Sequence, residues 1–175
     1  MTPRDLVLEQ IRHRETRSVP YTLAFEGDVA ERLDAHYGGP QWRQRLTSYI
    51  DVTMIVNGDK KRLVEGPGLQ RDPYGSVWRT DQRAFHLERP ALPEPNGMNP
   101  YELKKRWGDK IAFWGGLGSQ SIIPFGTPQQ LRDESRRLRA EMSRGGGYIL
   151  APSKALQPGT PTENAVAILE AFTSQ

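Results

Sequence analysis

Two short stretches of this sequence gather the residue types that could hold a ligand. The first, IAFWGGLGSQSIIPFGTPQQ, runs from Ile111 to Gln130; the second, GGGYILAPSKALQPGTPTEN, runs from Gly145 to Asn164. Each reads as an apolar run, small polar residues, a proline, then Gly-Thr-Pro and a helix. Ser119 and Gln120 in the first stretch, and Ser153 and Lys154 in the second, offer hydroxyl, amide and ammonium groups. Together these supply polar atoms to a bound ligand. Their small neighbours let a ligand approach the backbone, and a helix starting at Thr160 would add free amides and the positive end of its dipole. The plainer alternative is that Gly and Pro in these stretches only make tight turns.

Other chemistries find less support. The chain has no cysteine, which excludes disulfides, thiolate metal sites and cysteine nucleophiles. His13, His36 and His86 are far apart in sequence and show no metal-ligand spacing; His13 and His36 read as positions on amphipathic helices and His86 as part of a hairpin. The glycines of SRGGG follow a helix and precede a strand, the wrong order for a phosphate loop, so they read as a helix C-cap. No cofactor and no bound zinc are expected. The formal net charge is only +3, and the runs Lys60-Lys61-Arg62 and Lys104-Lys105-Arg106 are short, so no nucleic-acid partner is expected. With 36% hydrophobic and 26% charged residues over 175 positions, no span-length apolar run and no signal-like start, the sequence fits one soluble, cytoplasmic domain.

The elements that must position these residues can be read from caps and periodicity. Thr2, Pro3 and Asp5 open one helix; Asp28 and Glu31 open a second, which Gly38-Gly39 stops. A further helical segment, PQWRQRLTSYI, would put Trp42, Leu46, Tyr49 and Ile50 on one side. Asn99, Pro100 and Glu102 start another helix. Thr127 with Gln130, and Thr160 with Glu163, resemble capping boxes. Leu131, Leu138 and Met142 share one face of the first helix behind them, and Ala165, Ile168, Leu169 and Phe172 share one face of the second. IAFWG and YILA are too short for helices and read as parallel strands buried on both faces. SVPYTLAF and DVTMIV are further strand candidates. The segment from Lys61 to Pro90 is turn-rich and reads as antiparallel hairpins outside the parallel sheet, with turns near Gly75 and at Asp81-Gln82. PALPEPNGMNP, with Pro90, Pro93, Pro95 and Pro100, reads as a linker or edge loop.

Loops that follow parallel strands at their carboxyl ends are where α/β proteins keep their sites. GGLGSQS and PSKALQ would be two such loops, one βα period apart.

At these residues the sequence resembles a known family. NPYELKKRWGDKIAFWGGLGSQSIIPFGTPQQLRDESRRL and GGGYILAPSKALQPGTPTENAVAILEAF are similar to the C-terminal part of the uroporphyrinogen decarboxylase superfamily, which includes corrinoid-linked methyltransferase relatives. TPRDLVLEQIRHRETRSVPYTLAF and YGSVWR resemble the opening of its methyltransferase-like members. The resemblance implies one domain, residues 1–175, with an N-terminal part at 1–95 and a C-terminal βαβα part at 96–175. It implies an α/β fold derived from a (β/α)₈ TIM barrel, which takes about 250 residues. In this shorter chain the middle of the barrel is missing. A partial sheet of parallel strands with helices would remain, plus N-terminal helices and antiparallel hairpins. Since a closed barrel pairs its last strand with its first, Val19–Phe25 should lie beside YILA.

The implied activity is that of a carbon-carbon lyase: decarboxylation of tetrapyrrole acetate side chains in porphyrin and haem synthesis. Several residues depart from the family pattern. No pair of arginines four apart follows Val19-Pro20. Lys154 stands where the decarboxylases carry a histidine, Gly118 where many members carry an aspartate, and the methyltransferases' zinc cysteines have no counterpart. The expectation is therefore an impaired decarboxylase-like protein, with a corrinoid-linked methyltransferase relative or a non-catalytic ligand- or partner-binding remnant as the alternatives. Its partner would be an anionic, tetrapyrrole-like small molecule. The two raw edges of a partial sheet favour a homo-oligomer.

Overall fold

The computed structural model describes residues 1–50, 63–71, 77–81, 86–89 and 99–174. The DVTMIV strand, the turn near Gly75 and most of the proline-rich linker lie outside the described residues. The chain divides into two compact units, Met1–Asp51 with Asn99–Gln175, and Val52–Met98.

The first unit holds helices α1 (Pro3–Ile11), α2 (Gly27–Tyr37), α3 (Pro100–Trp107), α4 (Ile122–Phe125), α5 (Pro128–Met142) and α6 (Thr162–Thr173). Three starts follow their sequence signals. Thr2 and Asp5 form a capping box, as do Thr127 and Gln130, and Asn99 Oδ1 accepts from the Tyr101 and Glu102 amides. Gly38 closes α2 in the left-handed conformation, with φ of 70°.

Other starts differ from the expectation. Helix α2 begins at Gly27, with Glu26 in the cap position and no side-chain cap bond, so Asp28 lies inside the first turn. There it pairs with Arg32 at 3.3 Å. Helix α6 begins at Thr162 with Pro161 as its cap residue, and Thr160 is buried instead of capping. The physical reason is that other groups claim Thr160: its amide donates to Gln157 O and its carbonyl accepts from Arg32. His13 lies beyond α1, with φ of 56°.

The Trp42 segment is also corrected. Only Pro40–Arg45 is helical, as a 3₁₀ turn, and Leu46 is extended. Tertiary partners outcompete helix continuation here. Trp42 Nε1 donates to Asp34 at 2.7 Å, and the Thr47 amide donates to the Tyr21 hydroxyl at 3.0 Å. Trp42 is nonetheless buried, edge-on to Phe25.

Two strands, β5 (Phe113–Leu117) and β6 (Tyr148–Pro152), pair in parallel from Phe113↔Tyr148 to Leu117↔Pro152. Helix α5 connects them, as the repeated pattern predicts. On the other side of β6, Tyr21 bridges Leu150 and Phe25 bridges Leu156, both in parallel. The Val19–Phe25 segment therefore lies beside β6, held by isolated bridges and not as a regular strand. All five β6 residues are buried, but β5 is not buried on both faces: Trp114 is 55% exposed. Its indole donates to Thr22 Oγ1 at 2.9 Å. A closed (β/α)₈ barrel is not found among the described residues; the α/β character rests on this small parallel sheet and its helices. None of the described helices is long and apolar enough to cross a membrane.

The apolar stripes lie as their spacing predicts. Leu131, Leu138 and Met142 of α5, and Ala165, Ile168, Leu169 and Phe172 of α6, are all buried in one cluster with Tyr21, Leu33 and Leu150. Burial of a side chain of this size stabilises by roughly 1.5–3 kcal/mol.

The turn before β6 is fixed by α1. Gln10 is fully buried; its Oε1 accepts from the Tyr148 amide at 3.0 Å, its Nε2 donates to Thr16 at 2.8 Å, and its carbonyl accepts from Gly147 at 2.7 Å. The chain passes so close that a Cβ on Gly146, where φ is 74°, would stand 2.5 Å from the Arg14 nitrogen. The SRGGG run thus ends α5 and also docks it against α1.

The second unit contains an antiparallel sheet in the order β1 (Leu63–Gly66), β2 (Leu69–Arg71), β3 (Val77–Arg79) and β4 (His86–Arg89). It is separate from the parallel sheet, as the alternating, turn-rich sequence implies. Thr80 N donates to Gly68 O at 2.8 Å across β2 and β3.

Replacing Gln10 with Leu should leave the Tyr148 amide buried and unpaired. A loss of about 1–3 kcal/mol is expected in urea denaturation; an unchanged midpoint would show that the junction does not depend on this side chain. A second outcome concerns acid. Arg43, then Trp42, hold the Asp34 carboxyl below its ordinary value of 3.8. A carboxylate lowered in this way contributes stability above 3.8, lost as pH falls through the lower folded value. Asp34→Asn should therefore flatten the stability-versus-pH curve over the interval from 3.8 down to the lower folded value, and an unaltered limb would contradict the assignment.

Candidate functional site

The parallel pairing sends β5 and β6 in one direction, so the loops behind them leave from the same end of the sheet. The β6 loop carries Ser153 and Lys154; the β5 loop carries Ser119 and Gln120. The sequence places all four at strand carboxyl ends, and the structure keeps them there.

The β6 loop is anchored on both sides of Lys154. Ser153 donates its amide to Leu117 O at 3.1 Å and its hydroxyl to the same oxygen at 3.2 Å. Two residues beyond Lys154, Leu156 is buried and exchanges backbone bonds with the N-terminal segment: its amide donates to Ala24 O at 2.9 Å, and Glu26 N donates to Leu156 O at 3.0 Å. Lys154 is exposed, and among the described residues no hydrogen bond or ion pair engages its ammonium. It is a solvated cation on a fixed backbone. The Ser153 hydroxyl proton is already committed to Leu117, which leaves its oxygen lone pairs for a ligand donor.

The β5 loop is tighter. Ser119 is half-buried and Gln120 exposed, and Ile123 N donates to Gly118 O at 3.2 Å to begin the short α4. A Cβ on Gly118 would stand 2.8 Å from Ser121 Oγ, so a larger residue there requires that hydroxyl to turn away. Just before the loop, Gly116 has φ of 105°, and its Cβ would meet Leu138 at 3.0 Å. The double glycine of this strand is thus required by backbone conformation and by the packing of α5, independently of any ligand.

Sequence reasoning missed two residues that shape these loops. Asn164 is buried at the start of α6, and its Nδ2 donates to Ile123 O at 3.0 Å and Gly126 O at 2.8 Å. It ties the α4–α5 connection to α6. Its signal was present: Asn164, Ile168 and Phe172 share one helical stripe, and a polar residue on an apolar stripe needs a buried partner. Arg32 of α2 is the other, reaching the loop end from elsewhere in the chain. No local pattern marks it.

The buried titratable groups near the sheet serve structure. Burial, first of all, pushes the Tyr148 hydroxyl well above its ordinary value, and that hydroxyl donates to Gly115 O at 2.7 Å. Tyr101 is raised mainly by burial, then by its 2.8 Å bond to Glu134. Both phenols stay protonated across the physiological range and already have acceptors. An open groove of about 550 Å³ lies behind the β5 loop, lined by Ser121, Ile122, Phe125 and, on α5, Asp133, Glu134 and Arg137. Its charged groups are engaged internally: Asp133 pairs with Arg136 at 3.1 Å, Glu134 accepts from the Tyr101 hydroxyl, and Arg137 pairs with Glu141 at 2.9 Å. Among the described residues, no three His, Asp or Glu side chains converge as a metal-binding group.

This chain is similar to curated uroporphyrinogen decarboxylases. It is 23% identical to that of Serratia proteamaculans over 126 residues, which cover 72% of this chain and 30% of the relative. With that of Nitrosomonas europaea it shares 30% identity over 74 residues, 42% of this chain and 20% of the relative. With that of Methylobacillus flagellatus it shares 24% over 137 residues, 78% of this chain and 37% of the relative. The matched regions thus span 20% to 37% of these relatives' lengths. The likeness supports a distant relationship. No family model matches the chain, and no solved structure matches it.

The Asn164 tie can be tested on its own. Asn164→Leu keeps the bulk but leaves two carbonyls without their buried donor, and should cost about 1–3 kcal/mol by thermal or denaturant unfolding. A variant as stable as the parent would show that α6 and the α4–α5 connection are held by apolar packing alone.

Proposed function

We propose that this chain is a uroporphyrinogen-decarboxylase-like protein that binds an anionic, tetrapyrrole-like carboxylated molecule at the carboxyl ends of β5 and β6. Lys154 is the charged contact; Ser119 and Gln120 supply polar contacts around it, and the Ser153 oxygen accepts from a ligand N–H. One observation carries this reading. Lys154 is an unengaged cation between two anchored residues, at the strand ends where α/β folds hold ligands. An anchored backbone lowers the ordering cost of binding, so the contact of ammonium with carboxylate is not lost to loop entropy.

The named activity of the relatives, decarboxylation of uroporphyrinogen, sets the ligand class. Loss of carbon dioxide from an acetate side chain leaves carbanion character that a proton must quench. The groups described here can hold and orient a carboxylate. Tyr148 and Tyr101, the phenols nearest in kind to a proton donor, are raised and bonded inside the fold. On this reading the chain binds its ligand with decarboxylation impaired. The outer edge of β5 pairs with no other strand among the described residues, and this favours self-association through that edge.

Lys154→Met removes the charge and keeps most of the bulk. A charge-assisted contact contributes roughly 1.5–3 kcal/mol, so binding of a carboxylated porphyrin, followed by fluorescence quenching, should weaken by about ten- to a hundredfold. The melting temperature should stay within about a degree, since the residue is exposed. Equal affinity of both proteins, or binding by neither, would remove Lys154 from the function.

A further inference from the structure

Three anchors hold the polypeptide between β6 and α6, and the third comes from α2. Ser153 is fixed to Leu117, and Leu156 to Ala24 and Glu26. Beyond Leu156 the chain runs through Gln157, Pro158 and Gly159, with Pro158 and Gly159 exposed. One turn bond, Thr160 N to Gln157 O at 2.9 Å, is the local restraint on that stretch. The Arg32 guanidinium supplies the rest. Its Nη1 donates to Thr160 O and Thr162 Oγ1, both at 2.8 Å, and its Nη2 donates to Pro158 O and Asp28 Oδ2, both at 3.3 Å.

This placement runs against the simplest electrostatic expectation. A cation at the first residues of α6 opposes that helix's dipole. Asp28 offsets part of the charge from the preceding turn of α2. The directional fork explains the choice of residue: only a guanidinium can present several N–H donors at fixed angles to acceptors on two loop residues and the first residue of α6, and still keep one for a carboxylate. The α6 start has no side-chain cap of its own, so Arg32 is what orders its approach.

We propose that Arg32 is a positioning residue for the ligand loop. It clamps the far half of the segment to α2, and with the Ser153 and Leu156 anchors it fixes how Lys154 is presented. The ligand part of this inference rests on the function proposed above; the clamp itself does not.

Arg32→Lys and Arg32→Met test it in the full chain by amide hydrogen exchange, with titration of uroporphyrin I, an octacarboxylate porphyrin, alongside. Lysine keeps the charge toward Asp28 but lacks the fork. Both variants should therefore speed exchange of the Thr160 amide by about tenfold or more, with the Leu150 and Leu156 amides nearly unchanged. Both should also bind the porphyrin more weakly than the parent. Thr162→Val, which removes one acceptor and leaves Arg32 in place, should give a smaller rise at Thr160; this keeps the test decisive should Arg32→Met fold poorly. The clamp is overturned if Arg32→Lys exchanges like the parent, or if Thr160, Leu150 and Leu156 all speed up together. Its role in presentation is overturned if the loosened variants bind as tightly as the parent. Absence of porphyrin binding by the parent itself, with the exchange result intact, would sink the ligand reading and not the clamp.

Discussion

Everything in the larger unit depends on burying β6. Its five residues are shielded from water, so their amides and carbonyls need partners on both edges, because an unpaired buried peptide group costs about as much as a lost hydrogen bond. Strand β5 supplies one edge and the Pro20–Glu26 backbone the other. That requirement brings residues more than a hundred positions apart into register. Gln10 extends it past the start of the strand by accepting the Tyr148 amide. The helices then cover what the strand alone cannot, with Leu150 and Tyr148 packed among α5 and α6 side chains.

The site inherits its geometry from the same constraint. Leu156 is bridged to Phe25 and Ser153 to Leu117, which restrains the backbone between them while the Lys154 side chain stays free. A flexible cation on a rigid mount is a different object from a lysine on a loose loop. On the proposed reading it keeps its side-chain entropy until a ligand arrives but spares the backbone's share of the cost. Asn164 and Arg32 complete the mount from α6 and α2, one through carbonyls of the α4–α5 connection and the other through the loop's own carbonyls.

Much of this was legible in the residues. Parallel pairing of β5 and β6, the separate antiparallel sheet and three helix caps follow from local patterns; the Val19–Phe25 segment beside β6 follows from the resemblance to a closed barrel. Short apolar runs between capped helices leave few other arrangements. Two of the misreadings share one cause: tertiary partners claimed groups that local rules assigned elsewhere. Thr160 has the identity of a cap, yet Arg32 engages its carbonyl and Gln157 its amide, and the helix starts two residues later. The Trp42 segment carries a helical stripe, yet bonds from Trp42 to Asp34 and from Thr47 to Tyr21 hold it as a 3₁₀ turn and an extended run. Trp114 sits in a run that reads as fully buried, but β5 is covered on one face only. Lys154 was legible as a residue at a strand end. Its anchoring was not, because that depends on Ala24 and Leu117, which no sequence spacing connects to it.

The central claim is that an anionic ligand docks where the β5 and β6 loops meet. Backbone amide chemical shifts, followed while uroporphyrin I is titrated into the isotope-labelled chain, test it most directly. The account predicts saturable shifts concentrated at Gly118–Gln120 and Ser153–Ala155, with the antiparallel unit and the outer faces of α5 and α6 unmoved. Shifts confined to other surfaces, or none at all as the ligand is raised, would contradict it.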